Sequence, residues 1–343
     1  MTTTQQQADR PTIFQQDTPS NSGSGYVIGV DIGGTNLRLA LADMAGNVLA
    51  RWSSSVVNSR NADAVVDLIQ HGAEQLFQEA SISRSGLRAI AAGAPGVTDV
   101  DAGIVIATSY LMGWRDIPLQ HLLETKFGIP AAIDNDVNLA ALGEGWAGAA
   151  KAADDFVFLA IGTGIGAGIV LNGELYRGKK WSAGEIGYML IPGAPDKPVE
   201  RGQPGALEGM IGGEGIKAQW QHHWQKDKTS LPNDLTATEI FDAALTGDSL
   251  AQFILEQSSR MLAYAIYNMA LVLNCPLFVL GGGVGMHPAL CEATQRVLDQ
   301  WNARAQSLLA RSTLGAEAQL MGAVRLALDT AITRSILSPA QPA

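Results

Sequence analysis

The stretch that most constrains this chain is a run of three strand-length segments broken by two glycine turns. From Tyr26 the sequence YVIGVDIGGTNLRLALADMAGNVLARWSSS reads as three strands, with turns at Gly33-Gly34 and at Ala45-Gly46-Asn47. A helix is predicted over about 62–80, where Val65, Leu68, Ile69 and Leu76 fall near helical spacing. A buried strand over 87–93 follows and ends in Ala94-Pro95-Gly96. Beyond Gly113-Trp114 and a short helix over 119–127, a strand over 129–133 delivers Asp134-Asn135-Asp136, and a helix is predicted over 137–146. The opening pattern then returns about 130 residues later, as strands 156–161 and 166–171 joined by Gly162-Thr163-Gly164 and running into the hairpin signal Asn172-Gly173. A long helix over 248–274, a strand over 276–280, a glycine turn at 281–283 and a helix from His287 complete the second pass. The expectation is an α/β fold of two related lobes with a cleft between them.

Length agrees, because 343 residues exceed the size at which a single core usually stops growing. A hydrophobic content of 47% against 16% charged can fill two cores, and 38 glycines without a collagen-like period point to tight turns and backbone-lined sites. The net charge of -10 argues against a broad phosphate-tracking surface, so nucleic acid is not an expected partner. Cys275 and Cys291 have neither metal-ligand nor redox-motif spacing, which suggests free thiols in a reducing cytoplasm. Residues 1–25 lack the basic start and apolar stretch of a secretion signal and are expected to be disordered, and 336–343 to be a flexible tail. Met261–Met286 is strongly apolar, but Asn268, Asn274, Pro276 and a glycine triplet interrupt it, so a buried helix and strand are expected rather than a membrane span.

Three glycine turns carry the candidate chemistry. Asp31-Ile32-Gly33-Gly34-Thr35 lies at the tip of the first hairpin, where residues without side chains let backbone amides approach phosphate oxygens and the Thr35 hydroxyl can add a bond. Asp31 cannot assist an anion directly, and its expected role is to hold Mg²⁺ through water. Gly162-Thr163-Gly164 gives the second half a matching hairpin, and Gly281-Gly282-Gly283 an open strand-to-helix turn where a nucleotide base can pack. Each turn alone is commonplace; their order is not. Neither GxGxxG nor GxxxxGK[ST] occurs in its strand-to-helix context. On the residues alone, Asp136 is equally a general base aimed from a strand end or an N-cap of the helix behind it.

Together these motifs resemble the ROK sugar-kinase family, within the hexokinase, Hsp70 and actin superfamily. The likeness covers about 26–330 and rests on DIGGT at 31–35, GAPG at 93–96, LMGW at 111–114, DNDVN at 134–138, GTGIGAG at 162–168, AGEIG at 183–187, GALEG at 205–209, GGGV at 281–284 and GAVRLAL near the C-terminus. The resemblance implies an actin-like, ribonuclease H-like two-lobe fold, with a smaller lobe of 26–134 plus about 318–335 and a larger lobe of 135–317. It also implies ATP and Mg²⁺, phosphate loops at 31–35 and 162–164, an adenosine contact at 281–284, and Asp136 as general base. By the same likeness Asn135, Glu185 and Glu208 bind sugar hydroxyls, while Gly93 and Gly96 shape the pocket floor.

Two departures stand out. Most members carry a zinc site of one His and three Cys; here Tyr188, Val199, Arg201 and Ala206 occupy those positions, so no zinc is expected. Pro192, Pro195, Pro198 and Pro204 are expected to stiffen the loop instead, and Tyr188 to reach the sugar through its hydroxyl. Tyr110 stands where the family has a sugar-binding Asn, which bears on substrate identity. His222-His223, His71, His121 and His287 are read as structural or surface residues. The expectation is therefore an ATP-dependent hexose kinase, glucose first, acting as a homodimer. A kinase for N-acetylmannosamine, fructose, mannose or allose, or an inactive sugar-binding regulator, is the alternative.

Overall fold

The computed structural model describes residues 25–57, 61–108, 111, 113–193, 203–226, 228–301 and 306–337. The expected N-terminal disorder up to Ser24, Tyr110, Pro195, Pro198, Val199, Arg201 and the tail from Ser338 lie outside these residues. In chain order the elements are β1 (Tyr26–Ile32), β2 (Asn36–Asp43), β3 (Val48–Ser55), α1 (Ala62–Glu79), β4 (Leu87–Ala94), β5 (Val97–Asp99), β6 (Ile104–Ala107), β7 (Arg115–Ile117), α2 (Leu119–Phe127), β8 (Ala131–Asn135) and α3 (Asp136–Ala147). The second pass holds β9 (Phe156–Ile161), β10 (Ile165–Leu171), β11 (Glu174–Leu175), α4 (Glu208–Ile211), α5 (Gly213–His223), α6 (Ala237–Leu245), α7 (Ser249–Leu273), β12 (Leu277–Gly281), α8 (Gly282–Gly285), α9 (Pro288–Trp301), β13 (Leu308–Arg311) and α10 (Ala318–Leu337).

The two passes build the same sheet twice. The first runs β3-β2-β1-β4-β8 and the second β11-β10-β9-β12-β13, each an antiparallel meander extended by two parallel strands. A small third sheet, β5-β6-β7, sits beside the first.

Helices α3 and α10 lie between the two sheets. Small residues Ala40, Ala42, Ala89 and Ala91 on the inner face of the first sheet admit Leu320, Val324 and Leu328 of α10, all of them buried. Leu139–Leu142 of α3 join the core of the second sheet with Phe156, Phe158 and Ile169. Burying each such large aliphatic side chain contributes roughly 1.5–3 kcal/mol. The helices meet at two glycines: a methyl group on Gly143 would lie 2.3 Å from the Ala318 carbonyl oxygen, and one on Gly322 would lie 1.8 Å from that of Leu139.

Several expectations shift. The strand before the DND triplet is 131–135 rather than 129–133, so Asp134 and Asn135 belong to β8. Gly281 ends β12 and Gly282 begins a helical turn, rather than forming a loop. Helix α10 runs to Leu337, two residues into the expected tail. Among the described residues no helix is long and apolar enough to cross a membrane.

Candidate active site

The site grows from the ends of β1, β8 and β9. Asp31, 6% exposed, is penultimate in β1 and registers opposite Arg38 of β2. Arg38 gives Nε and Nη2 to Asp31 Oδ2 at 2.9 and 2.6 Å, and it also donates to the Ala316 carbonyl oxygen at 2.5 Å and to Gln319 Oε1 at 3.4 Å. Burial pushes the Asp31 carboxyl above its ordinary value, and the Arg38 charge works against that rise. No bond from the described residues reaches Asp31 Oδ1. A buried carboxylate with one oxygen braced and one free suits a hard cation that keeps most of its water, so Asp31 fits Mg²⁺. The turn beyond it is tight, with the Gly33 N–H donating to the Asn36 carbonyl oxygen at 2.8 Å, and it leaves Gly34 and Thr35 exposed.

At the junction of β8 and α3 three adjacent polar residues have distinct surroundings. Asp134, 1% exposed, accepts from Arg177 Nε and Nη2 on Oδ2, and from the Asn135 N–H and Asn138 Nδ2 on Oδ1. Asn135 is the N-cap: its Oδ1 accepts from the N–H groups of Val137 and Asn138 at 2.9 and 3.1 Å. Its amide also donates to the Gly96 carbonyl oxygen at 2.8 Å, leaving one N–H for a ligand. The capping role therefore falls to Asn135 rather than Asp136, which is the first residue of the helix. Gly96 has φ of +98°, and a methyl group there would lie 2.2 Å from the Ala107 carbonyl oxygen, so no other residue fits this turn. Gly93 lies beside Asp134 in the sheet and packs on Leu139.

Asp136 is partly buried and accepts one hydrogen bond, from the Val137 N–H at 2.9 Å to Oδ1. Burial pushes its carboxyl up to about 6; the nearby charges of Asp31 and Glu185 add to the rise, while backbone N–H groups oppose it. Asp31, Asp136 and Glu185, from three separate elements, thus converge. Glu185 is itself raised, first by burial and then by the charge of Glu208. Glu208 opens α4 and accepts from the Ile165 N–H at 2.9 Å, anchoring its loop to β10. Tyr188 closes the short 3₁₀ turn after Glu185 and is exposed, while Ala206 is buried.

The second hairpin is backed by backbone. The Gly162 N–H donates to the Gly164 carbonyl oxygen at 3.0 Å, and the Gly213 N–H, at the start of α5, donates to the Gly162 carbonyl oxygen at 2.8 Å. Gly282, at φ +78°, lies so close to the Ile161 carbonyl oxygen that a methyl group would approach to 2.4 Å. The turns at 162–164 and 281–283 are therefore one surface, with Gly162 and Gly283 open to space.

Sequence reasoning missed Arg38 and Arg177, which no motif marks, and the buried Glu144. Glu144 accepts from the Ala149 N–H at 2.7 Å, from the Ser312 hydroxyl and from the Leu314 N–H at 3.1 Å. That hub joins α3 to the segment leading into α10. Arg38 had a signal: across a hairpin turning at 33–36, the partner of Asp31 can be counted.

Twin sheets of one strand order, paired across two central helices with carboxylates at the strand ends between them, define the actin-like two-lobe α/β class. A model of the ROK family matches residues 27–330, and the chain belongs to that family. It is 33% identical over 266 residues to a glucokinase of Halalkalibacterium halodurans, covering 76% of this chain and 80% of that one. A putative xylose repressor of a Caldicellulosiruptor species is 28% identical over 267 residues, and the match spans 76% of this chain and 66% of that relative. Among solved structures, a ROK family glucokinase from Streptomyces griseus in complex with glucose and AMPPNP superposes with a TM-score of 0.74 at 25% identity, covering 89% of this chain and 100% of that one.

Proposed function

We propose that this protein is an ATP-dependent hexose kinase with Asp136 as general base and glucose as its first-choice acceptor. The sugar-kinase class rests on family membership and on the glucokinase relatives. The observation that carries the mechanism is the division of labour at 134–136. Asp134 is fully engaged by protein partners and Asn135 keeps one amide N–H, whereas among the described residues no hydrogen bond reaches Asp136 Oδ2, and burial raises its carboxyl to about 6. Such a carboxylate is ionised at pH 7 yet basic enough to take a hydroxyl proton as the sugar oxygen attacks the γ-phosphorus.

In this reading the amides of Gly33, Gly34 and Thr35 and of Gly162, Thr163 and Gly164 cradle phosphate oxygens, and Gly281–Gly283 receive the adenosine. Asp31 holds Mg²⁺, which when bound neutralises phosphate charge. Asn135, Glu185, Tyr188 and Glu208 take sugar hydroxyls, with Gly93 and Gly96 shaping the pocket floor. Buried polar groups of this kind reject epimers that leave them unpaired. We assign residues 26–134 with about 318–335 to the smaller lobe and 135–317 to the larger, and place the enzyme in the cytoplasm as a homodimer without structural zinc.

ADP release measured across glucose, mannose, fructose, N-acetylmannosamine, N-acetylglucosamine and allose tests the claim. Asp136→Asn is expected to cut turnover by about 10²- to 10⁴-fold while sparing sugar binding. Zinc chelation should leave the rate unchanged, and Mg²⁺ removal should stop it. Absence of sugar-dependent turnover would favour the second reading, a sugar-responsive regulator, which the repressor relative motivates.

A further inference from the structure

The Asp134–Arg177 pair takes no part in the chemistry above, yet it stands two residues from Asp136 and joins the two sheets. Asp134 lies in β8, an edge strand of the first sheet, and Arg177 follows β11, an edge strand of the second. Two Arg177 donors meet one carboxylate oxygen, Nε at 2.9 Å and Nη2 at 2.6 Å, and Nη1 donates to the Leu175 carbonyl oxygen at 3.4 Å, while the other carboxylate oxygen takes the Asn135 N–H at 2.8 Å and Asn138 Nδ2 at 3.0 Å. Every acceptor position of the buried carboxylate is in use.

Stability is a weak reason for such a pair, since taking two charges out of water costs about as much as their attraction returns, and an apolar pair of the same shape often serves better. What a planar guanidinium does supply is direction, because its rigid fork fixes angle as well as distance. Asp134 passes that constraint on through bonds to Asn135 and Asn138, the residues flanking Asp136 and Val137.

We infer that Arg177 is a positioning residue for Asp136: reaching from the second sheet, it locks Asp134 and thereby the strand-to-helix junction on which the base is mounted. The inference rests on the reading of Asp136 as general base. The charged groups facing Asp136 are Asp31 from β1 and Glu185, the residue before the 3₁₀ turn, with Arg38 acting on Asp31 and Glu208 on Glu185. Removing Arg177 would leave Asp134 as a further, uncompensated anion at the same junction.

The test compares Arg177→Lys, Arg177→Gln, the uncharged pair Asp134→Asn with Arg177→Gln, and Asp136→Asn, each scored for thermal midpoint, kcat, KM and the pH profile of kcat. Arg177→Lys keeps the charge but not the fork, and is expected to lower kcat by about 10- to 100-fold, the scale of a misplacement on the order of 1 Å. KM for ATP should stay within about threefold, because the glycine turns assigned to the nucleotide are untouched, while KM for sugar should change less than kcat does. The uncharged pair should regain thermal midpoint relative to Arg177→Gln alone while kcat stays low, and it decides the matter should Arg177→Lys fail to fold. In Arg177→Gln the acidic limb of kcat should move to higher pH. Turnover of Arg177→Lys within twofold of the parent, or recovery of kcat in step with thermal midpoint in the uncharged pair, would overturn the inference. If Asp136→Asn is itself active, the base reading fails whatever Arg177 does. If Asp136→Asn is inactive and Arg177→Lys normal, only the positioning role fails.

Discussion

The two glycine hairpins occupy equivalent places in sheets of one strand order, yet they are built by different physics. At the end of β1, Asp31 sits opposite Arg38; at the end of β9, Ala160 sits opposite Gly166. The first hairpin is fixed by a charge pair that Arg38 extends to Ala316 and Gln319. The second is fixed by main chain against main chain, with Gly213 bonded to Gly162 and Gly282 against Ile161. In the proposed function the first turn holds a cation, which calls for an aimed carboxylate, and an aimed buried carboxylate needs a counter-ion. A turn that offers only amides needs close approach, which glycine alone permits. Duplicated architecture has thus been divided into one charged and one neutral jaw.

That contrast can be broken in order of effect. Gly282→Val forces a side chain into a left-handed residue with 2.4 Å of clearance at Cβ, and it should cost about 3 kcal/mol in urea unfolding and abolish ATP binding by calorimetry. Arg38→Met strikes the charged jaw by leaving Asp31 buried and unpaired. Because the Arg38 side chain is 26% exposed, about 2 kcal/mol is expected rather than the roughly 3–5 of a fully buried pair, with a raised Mg²⁺ requirement for turnover. If Gly282→Val is tolerated while Arg38→Met is lethal, the neutral jaw is not held as described.

Asp136 responds first to its burial and then to the charge of Asp31 in the charged jaw. Its carboxyl is raised to about 6 in the fold against an ordinary value of 3.8, so the folded state binds the proton more tightly than the unfolded chain and stability falls as pH rises through that window. Asp136→Asn should therefore be more stable than the parent at pH 8, by about 1 kcal/mol after allowing for partial exposure, and the gain should vanish near pH 3. The same shift predicts that kcat of the parent falls below about pH 6 as the base protonates. Smallest of all, Thr35→Ala and Thr163→Ala remove one exposed hydroxyl from each jaw. Each should change stability by less than about 0.5 kcal/mol and raise the KM for ATP by roughly three- to tenfold, one hydrogen bond's worth. A large difference between the two would mean that the jaws do not share the phosphates.

Much of this was legible in the sequence because the decisive signals are local. The meander from Tyr26, the long helix ending at Leu273 and the repeat of the opening pattern all follow from periodicity and turn residues. Strands β5, β6 and β7, of three or four residues, went unread because so short a segment shows no alternation. At 134–136 the residues left base and cap open for Asp136. The structure gives the cap to Asn135, one position earlier, since a cap's carbonyl and side chain must both face the first helical turn, as those of Asn135 do. Arg177 could not be foreseen, because its partner lies 43 positions away on another sheet.

The contact of α3 with α10 through Gly143 and Gly322 bears on how this protein would look in a mutational screen. Neither glycine approaches a carboxylate of the site, and neither would touch sugar or nucleotide. With 2.3 and 1.8 Å at their missing methyl groups, however, even alanine at either position must wedge apart the two helices that join the sheets. Scored by activity alone, both would rank with Asp136 among the least replaceable residues; scored by abundance as well, they would separate from it at once.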